Sequence, residues 1–236
     1  MSPRKTLPKF RNRILAALPA ADRKALHPHL EPVALERSKH LETANKAIEN
    51  VYFPERGIAS VVGTGKAKRE VEIGIIGCEG MTGLPVILGD HRSPYQTFVQ
   101  VPGDGYRLSS ATLRKAMTNS ATLQSLLLKY VQAFMLQGTN TAVANARGTV
   151  YERLARWVLM AQDRTGGDGI PLTHEFLSIM LAVRRPGVTE AVHELTRKGL
   201  ITHNRGIIKV SDREGLIECA NGFYGTPESE YARLLG

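Results

Sequence analysis

The stretch from Pro171 to Val210, PLTHEFLSIMLAVRRPGVTEAVHELTRKGLITHNRGIIKV, constrains this chain more than any other. Pro186 suits the first turn of a helix, where a missing N–H is not needed, and Gly199 after Lys198 supplies the left-handed residue that ends one. A helix is therefore expected over about 186 to 198. Within it Val188, Val192 and Leu195 form an apolar stripe at i, i+4 and i+7, and Thr189, Glu190, His193 and Arg197 fall on the other side. Ahead of it, Thr173 is placed to cap a helix with Glu175 in its first turn and Phe176, Leu177, Met180 and Leu181 on its buried side. A turn at Ala182 and Val183 joins the two. Leu200 to His203 and Ile207 to Val210 are β-prone runs around Asn204-Arg205-Gly206, where Gly206 supplies positive φ in a hairpin. Two short helices, a tight turn and a wing, with one helix face left free, are the outline of a DNA-reading module.

Periodicity alone fits an ordinary helical hairpin inside a core equally well. Charge separates the two readings. From Arg184 to Lys209 there are six basic residues and two acidic ones, while 148–183 hold three and four and 210–236 two and five. The region 148–236 is thus neutral, with its positive charge gathered on the second helix and wing, as phosphate neutralisation requires. The formal charge of +9 lies entirely in residues 1–147 and would misplace the site. Arg4, Lys5, Lys9, Arg11 and Arg13 form a basic tail, read as a solvated arm with at most a supporting role on phosphates.

With 236 residues, 42% of them hydrophobic, the chain builds real cores without staples. Cys78 and Cys219, its two cysteines, make neither a disulfide framework nor a cluster site. That usage fits a reducing cytoplasm. The apolar run Ile14 to Leu18 is followed at once by Asp22, Arg23 and Lys24, so an amphipathic first helix is expected rather than a secretion signal, and no run is long enough to span a membrane.

Between 31 and 108, β-prone runs (Val51–Phe53, Ile58–Val62, Glu70–Ile76, Thr97–Val101, Tyr106–Leu108) alternate with glycine-rich turns, which predicts an antiparallel roll or barrel. From about Asn119 to Arg147 helix formers dominate. Leu123, Leu127, Tyr130 and Phe134 make one seam of this helix, and Leu128, Val131, Met135, Gly138 and Ala142 make a second stripe. One face is expected on the roll and the other on a partner helix; the coiled-coil spacing assigns the Leu123–Phe134 seam to the dimer interface, against the alternative of a helix buried in a monomer. A further helix, Tyr151 to Arg164, packs Leu154, Trp157, Val158 and Ala161 under the reading module. The fold class is therefore α+β, with a β-roll domain and N-terminal helix in 1–118, a dimerisation helix in 119–147 and a winged helix-turn-helix in 148–236.

Enzymatic readings fare worse. Gly63-Thr64-Gly65-Lys66 lacks the spacing, the Ser or Thr after the lysine, and the helix that a phosphate loop needs, so a hairpin is expected there. His27-Pro28-His29 is spoiled as a ligand pair by its proline, and no clustered set of metal ligands is present. No catalytic residue, metal or cofactor is assigned.

The order of roll, long helix and winged module resembles the cyclic-AMP receptor protein family, or Crp/Fnr, of bacterial transcription regulators, over nearly the full length. The resemblance rests on Val51-Tyr52-Phe53-Pro54 with Gly57, on Ile75 to Gly83 (IIGCEGMTG), on Glu152 to Trp157 (ERLARW), and on Arg184-Arg185 with Val188-Thr189. It implies a cytoplasmic homodimer on a near-palindromic promoter site, in contact with RNA polymerase. It also implies an effector pocket in a cyclic-nucleotide-binding-like jelly roll, at Gly83, Leu84, Arg92 and Ser93. Here the chain departs from nucleotide-binding members: Leu84 replaces the glutamate that takes the ribose hydroxyl, and Arg92-Ser93, the phosphate pair, is followed by Pro94 and displaced by about two residues. The cysteine cluster of the oxygen-sensing branch is absent, so the effector stays unknown and cyclic AMP control is not expected. In the reading module Arg185 is expected on guanine, with Arg184 sharing that role or holding phosphate. Thr173, Thr189 and His193 are expected on bases or phosphates, Arg205 and Lys209 on phosphates, and Glu190 on cytosine or in a salt bridge to Arg197 or Arg185. The competing reading is a ligand-binding or adaptor protein whose helix-turn-helix contacts protein.

Overall fold

The computed structural model describes residues 9–65, 70–166 and 169–236. The expected first helix is two, α1 (Arg13–Ala17) and α2 (Ala20–Leu26), because Pro19 forces Leu18 into extended backbone. Buried Asn12 fixes them to the roll: its Oδ1 accepts from Leu15 N at 3.1 Å and its Nδ2 donates to the carbonyls of Pro54 and Gly80. His27–His29 form a single 3-10 turn.

The roll comprises β1 (Glu31–Leu35), β2 (His40–Glu42), β3 (Asn50–Pro54), β4 (Ile58–Thr64) and β5 (Glu70–Ile76), then the short helix α3 (Leu84–Ile87), then β6 (Gln96–Val101) and β7 (Gly103–Ser109). They pair antiparallel in two sheets, ordered β1-β7-β3 and β2-β6-β4-β5. Five of the seven strands are the runs the sequence marks. β1 escapes because it is an exposed edge carrying Pro32, and β2 because it has only three residues. β4 and β5 are hairpin neighbours with Thr64 opposite Glu70; Lys66 lies outside the described residues.

Two serine caps follow. Ser109 starts α4 (Ser110–Asn119), and Ser120 starts α5 (Ala121–Arg147) by accepting from Leu123 N, so α5 begins past Asn119 with a separate helix before it. At 27 residues α5 is about 40 Å long. Its Leu123, Leu127 and Tyr130 are at most 2% exposed and share a core with Val51, Phe53 and Met81 of the roll. Tyr130 donates to the Met81 carbonyl at 2.9 Å; Gln137, on the same seam, accepts from Ile75 N and donates to Ile75 O. The seam expected to meet a partner is thus covered by the chain's own roll, and Phe134 is half-buried against it. Leu128 (43%) and Met135 (60%) of the other stripe stand exposed instead. Periodicity finds both stripes and cannot say which one the roll takes.

The capping box of Thr149 and Glu152 opens α6 (Val150–Thr165). Then come β8 (Ile170–Pro171), α7 (His174–Met180), α8 (Arg185–Arg197), β9 (Ile201–Asn204), β10 (Ile207–Val210), α9 (Arg213–Cys219) and α10 (Thr226–Leu235), with the wing ordered β8-β10-β9. Leu154, Trp157, Val158, Leu177, Val188, Val192, Leu195 and Ile208 make the core of this part. Among the described residues no helix is long and apolar enough to cross a membrane.

Candidate nucleic-acid interface

α8 begins one residue earlier and ends one earlier than the sequence suggests, because Arg185 takes helical geometry and Pro186 still falls in the first turn. Val188, Ala191, Val192 and Leu195 bury one face. Arg184, Arg185, Thr189, Glu190, His193 and Arg197 stand exposed on the rest. The helix is aimed by the turn before it, held by Ala182 N on Ile179 O (3.2 Å) and Val183 N on Ser178 O (3.1 Å). Ala182 pays for that turn with φ +49°, a left-handed conformation costing a side-chain-bearing residue about 1–2 kcal/mol. Thr173 lies where expected and caps α7, accepting from Phe176 N at 3.3 Å.

Arg185 pairs with Glu175 at 3.4 Å, both side chains well exposed, an ion pair weak enough to exchange for DNA. Glu194 holds Arg197 at 2.8 Å and Lys198 at 3.7 Å. Both partners considered for Glu190 are therefore engaged elsewhere, and among the described residues Glu190 has no salt bridge. Thr189 donates to the Arg185 carbonyl at 3.1 Å. In the wing, Asn204 pairs with Ile207 as the last rung of the ladder. The turn is thus two residues, Arg205 (φ +48°) and Gly206 (φ +76°), rather than the three expected. Arg205 at the tip and Lys209 on β10 are exposed on the same module as α8.

The effector residues are placed differently. Gly83 (φ +84°) opens α3, and its N–H donates to the buried carboxylate of Glu42 at 2.5 Å, which also accepts from Thr97 Oγ1 at 3.1 Å. Burial raises the Glu42 pKa against the lowering hydrogen bonds from Gly83, Thr97 and Thr82. Leu84 is half-buried in apolar surroundings. Arg92 is exposed, and the buried Ser93 hydroxyl accepts from Tyr95 N at 3.1 Å. No hydrogen bond or ion pair among the described residues joins Gly83-Leu84 to Arg92-Ser93. An internal carboxylate thus meets the helix start that a bound anion would need, a feature with no sequence signal, since Glu42 sits in a short strand far from the motif.

Sequence reasoning also missed the joints between roll and reader. Glu72, fully enclosed, accepts from Trp157 Nε1 at 2.7 Å and Ser60 Oγ at 2.6 Å. Burial pushes its pKa up to about 7, outweighing those bonds and the charges of Arg156 and Arg164. Glu79 pairs with the buried Arg164 at 2.9 Å. The glycines of the Ile75–Gly83 run allow this closeness: a Cβ at Gly77 would lie 2.7 Å from Arg164 Cγ, and one at Gly80 2.3 Å from Tyr130 Oη. Phe98 of β6 stacks on Phe176 of α7, with ring centroids 6.1 Å apart.

Residues 152–219 match the family described as the Crp-like helix-turn-helix domain. No curated protein sequence matches the chain. Among solved structures, a chain from Eubacterium rectale described as a transcriptional regulator of the Crp/Fnr family is similar at 15% identity, covering 87% of this chain and 96% of that one, with a TM-score of 0.67. FixK2 from Bradyrhizobium japonicum is similar at 14% identity, covering 80% and 96%, with a TM-score of 0.66. A transcriptional regulator of the CRP family from Thermus thermophilus is similar at 17% identity, covering 81% and 97%, also with a TM-score of 0.66.

Proposed function

We propose that this chain, which combines a Crp-like helix-turn-helix domain with the fold of the Crp/Fnr regulators, is a sequence-specific regulator that binds promoter DNA as a homodimer and does not answer to cyclic AMP. The observation that carries this reading is the exposed polar face of α8, ringed by Arg184, Arg185, Arg205 and Lys209 in a domain whose net charge is zero. Arg185 reads guanine through O6 and N7, with Arg184 beside it. Thr189 and His193 contact bases or phosphates, and Arg205 and Lys209 hold phosphates. Thr173, whose hydroxyl caps α7, supports the phosphate side. Glu190 reads cytosine, whose N4 amine is a donor in the major groove and compensates a carboxylate that has no salt bridge among the described residues.

The second copy packs on the exposed stripe of α5. Leu128, Met135 and Ala142 recur there at seven-residue spacing, with uncharged Gln132 and Thr139 between them, the pattern of a two-helix seam. Two readers so joined suit half-sites one helical turn apart. Contact with RNA polymerase and action in the cytoplasm follow from that reading, as does action by binding rather than by catalysis. Leu84 and the internal Glu42 argue against tight cyclic-AMP binding, because a buried ribose hydroxyl left unpaired costs about 1–3 kcal/mol. Gel shifts on promoter duplexes over a salt series test the proposal. Binding that weakens steeply with salt and survives competitor DNA supports it; no binding, with capture of a specific protein instead, supports an adaptor.

A further inference from the structure

Where the roll, α5, α6 and α10 meet, they line a half-open cavity of about 280 Å³, near the small end of ligand sites. It is separate from Gly83, Leu84, Arg92 and Ser93. Its walls are aromatic, from Tyr130, Phe134, Tyr224 and Tyr231. Its polar groups are unevenly engaged. Arg164, with an 8% exposed side chain, donates from Nε to Glu79 and from Nη1 to the Met160 carbonyl at 2.7 Å, which fixes the guanidinium. No hydrogen bond among the described residues uses its Nη2, which leaves that nitrogen as a donor for a ligand. Arg13 stands at the rim, 5.7 Å over the Tyr231 ring, with no ion pair among the described residues. The carboxylates already have donors: Glu79 takes Gly77 N and Arg164, Asp163 takes Arg213 and Tyr224, and Glu228 takes Gly225 N.

We propose that this cavity binds a small aromatic monocarboxylate, its ring among Tyr130, Phe134 and Tyr231 and its carboxylate on Arg164 and Arg13, as the effector of the regulator proposed above. The unused donors belong to cations, so the ligand is an acceptor. The carboxylates in the wall, Glu79, Asp163 and Glu228, disfavour a second negative charge. Because Arg13 and Glu79 belong to the roll side while Arg164 and Tyr231 belong to α6 and α10, a bound carboxylate bridges the two parts and biases how the reader sits. This regulatory consequence rests on the DNA-binding reading; the binding site does not.

Calorimetry and thermal shift with phenylacetate, 4-hydroxybenzoate and indole-3-acetate test it, against phenylacetamide and phenethylamine as neutral and cationic counterparts. At least one carboxylate is expected to bind, with the amide and amine weaker by about tenfold or more, the loss of a hydrogen bond to a charged group. Arg13→Gln weakens binding by about the same factor. Ala133→Leu, which fills the cavity from α5 and leaves the Arg164–Glu79 pair intact, abolishes it. No binding by any carboxylate, equal binding of amide or amine, or undiminished binding in Ala133→Leu overturns the proposal. Gel shifts with and without the ligand run in parallel: ligand binding with no DNA binding in either state keeps the site and removes the regulator, and DNA binding with no ligand binding keeps the regulator and removes the site.

Discussion

At the start of α8, Arg184 and Arg185 stand in solvent, Arg185 in one weak ion pair with Glu175; at the start of α3, the amide of Gly83 is met by a buried carboxylate from the same chain. The first helix opening is left for something else to complete. The second is completed internally by Glu42, whose carboxylate also takes the Thr97 hydroxyl inside the roll. Two regions of one regulator fold thus differ in where their polar groups find partners. A surface proposed to meet DNA keeps interactions that exchange at little cost, while the roll satisfies the polar groups of its own interior.

The largest effect expected concerns how two readers are held together. Met135→Asp puts a charge into the exposed seam of α5 and is expected to abolish the dimer in sedimentation, because an unpaired buried charge costs several kcal/mol. An unchanged dimer would place the interface elsewhere.

Next comes the joint between the two regions. The carboxyl of Glu72 has its pKa raised to about 7 in the folded chain. At low pH it is protonated folded and unfolded alike. As pH rises from about 4.5 toward 7 the unfolded chain loses this proton first, so stability falls, by up to about 3 kcal/mol for this group. Glu72→Gln is expected to flatten that fall in urea midpoints and to be the more stable protein at pH 8; an unaltered slope would contradict the assignment.

At the reading face the effects are moderate. Arg185→Ala is expected to lose about 1–3 kcal/mol of discrimination at one base pair per half-site, and Glu190→Ala a similar amount at another, with little change in dimerisation. Site preferences unchanged at every position would reject both contacts. The smallest effect is in the turn: Ala182→Gly relieves the positive φ and is expected to raise stability by about 0.5–1 kcal/mol without changing site preference.

The same contrast explains what could be read from the sequence. The winged module was legible because its signals are local: Thr173 capping, Pro186 at a helix start, Gly199 past a helix end and Gly206 in a hairpin each act within a few residues. The strands of the roll were legible for the same reason. The tertiary partners were not. Which stripe of α5 meets the roll depends on Met81 and Ile75, about fifty and sixty positions away, and Glu72–Trp157 and Glu79–Arg164 join residues 85 apart. α10, which reaches back through Tyr231 to the Glu79 carbonyl, gave no signal of where it would pack.

Selection of bound duplexes from a random library, with and without cyclic AMP, tests the central claim most directly. The expected result is enrichment of a near-palindromic pair of half-sites about one helical turn apart, the same whether or not the nucleotide is present. Enrichment only when cyclic AMP is added, or no enriched sequence at all, would contradict the account.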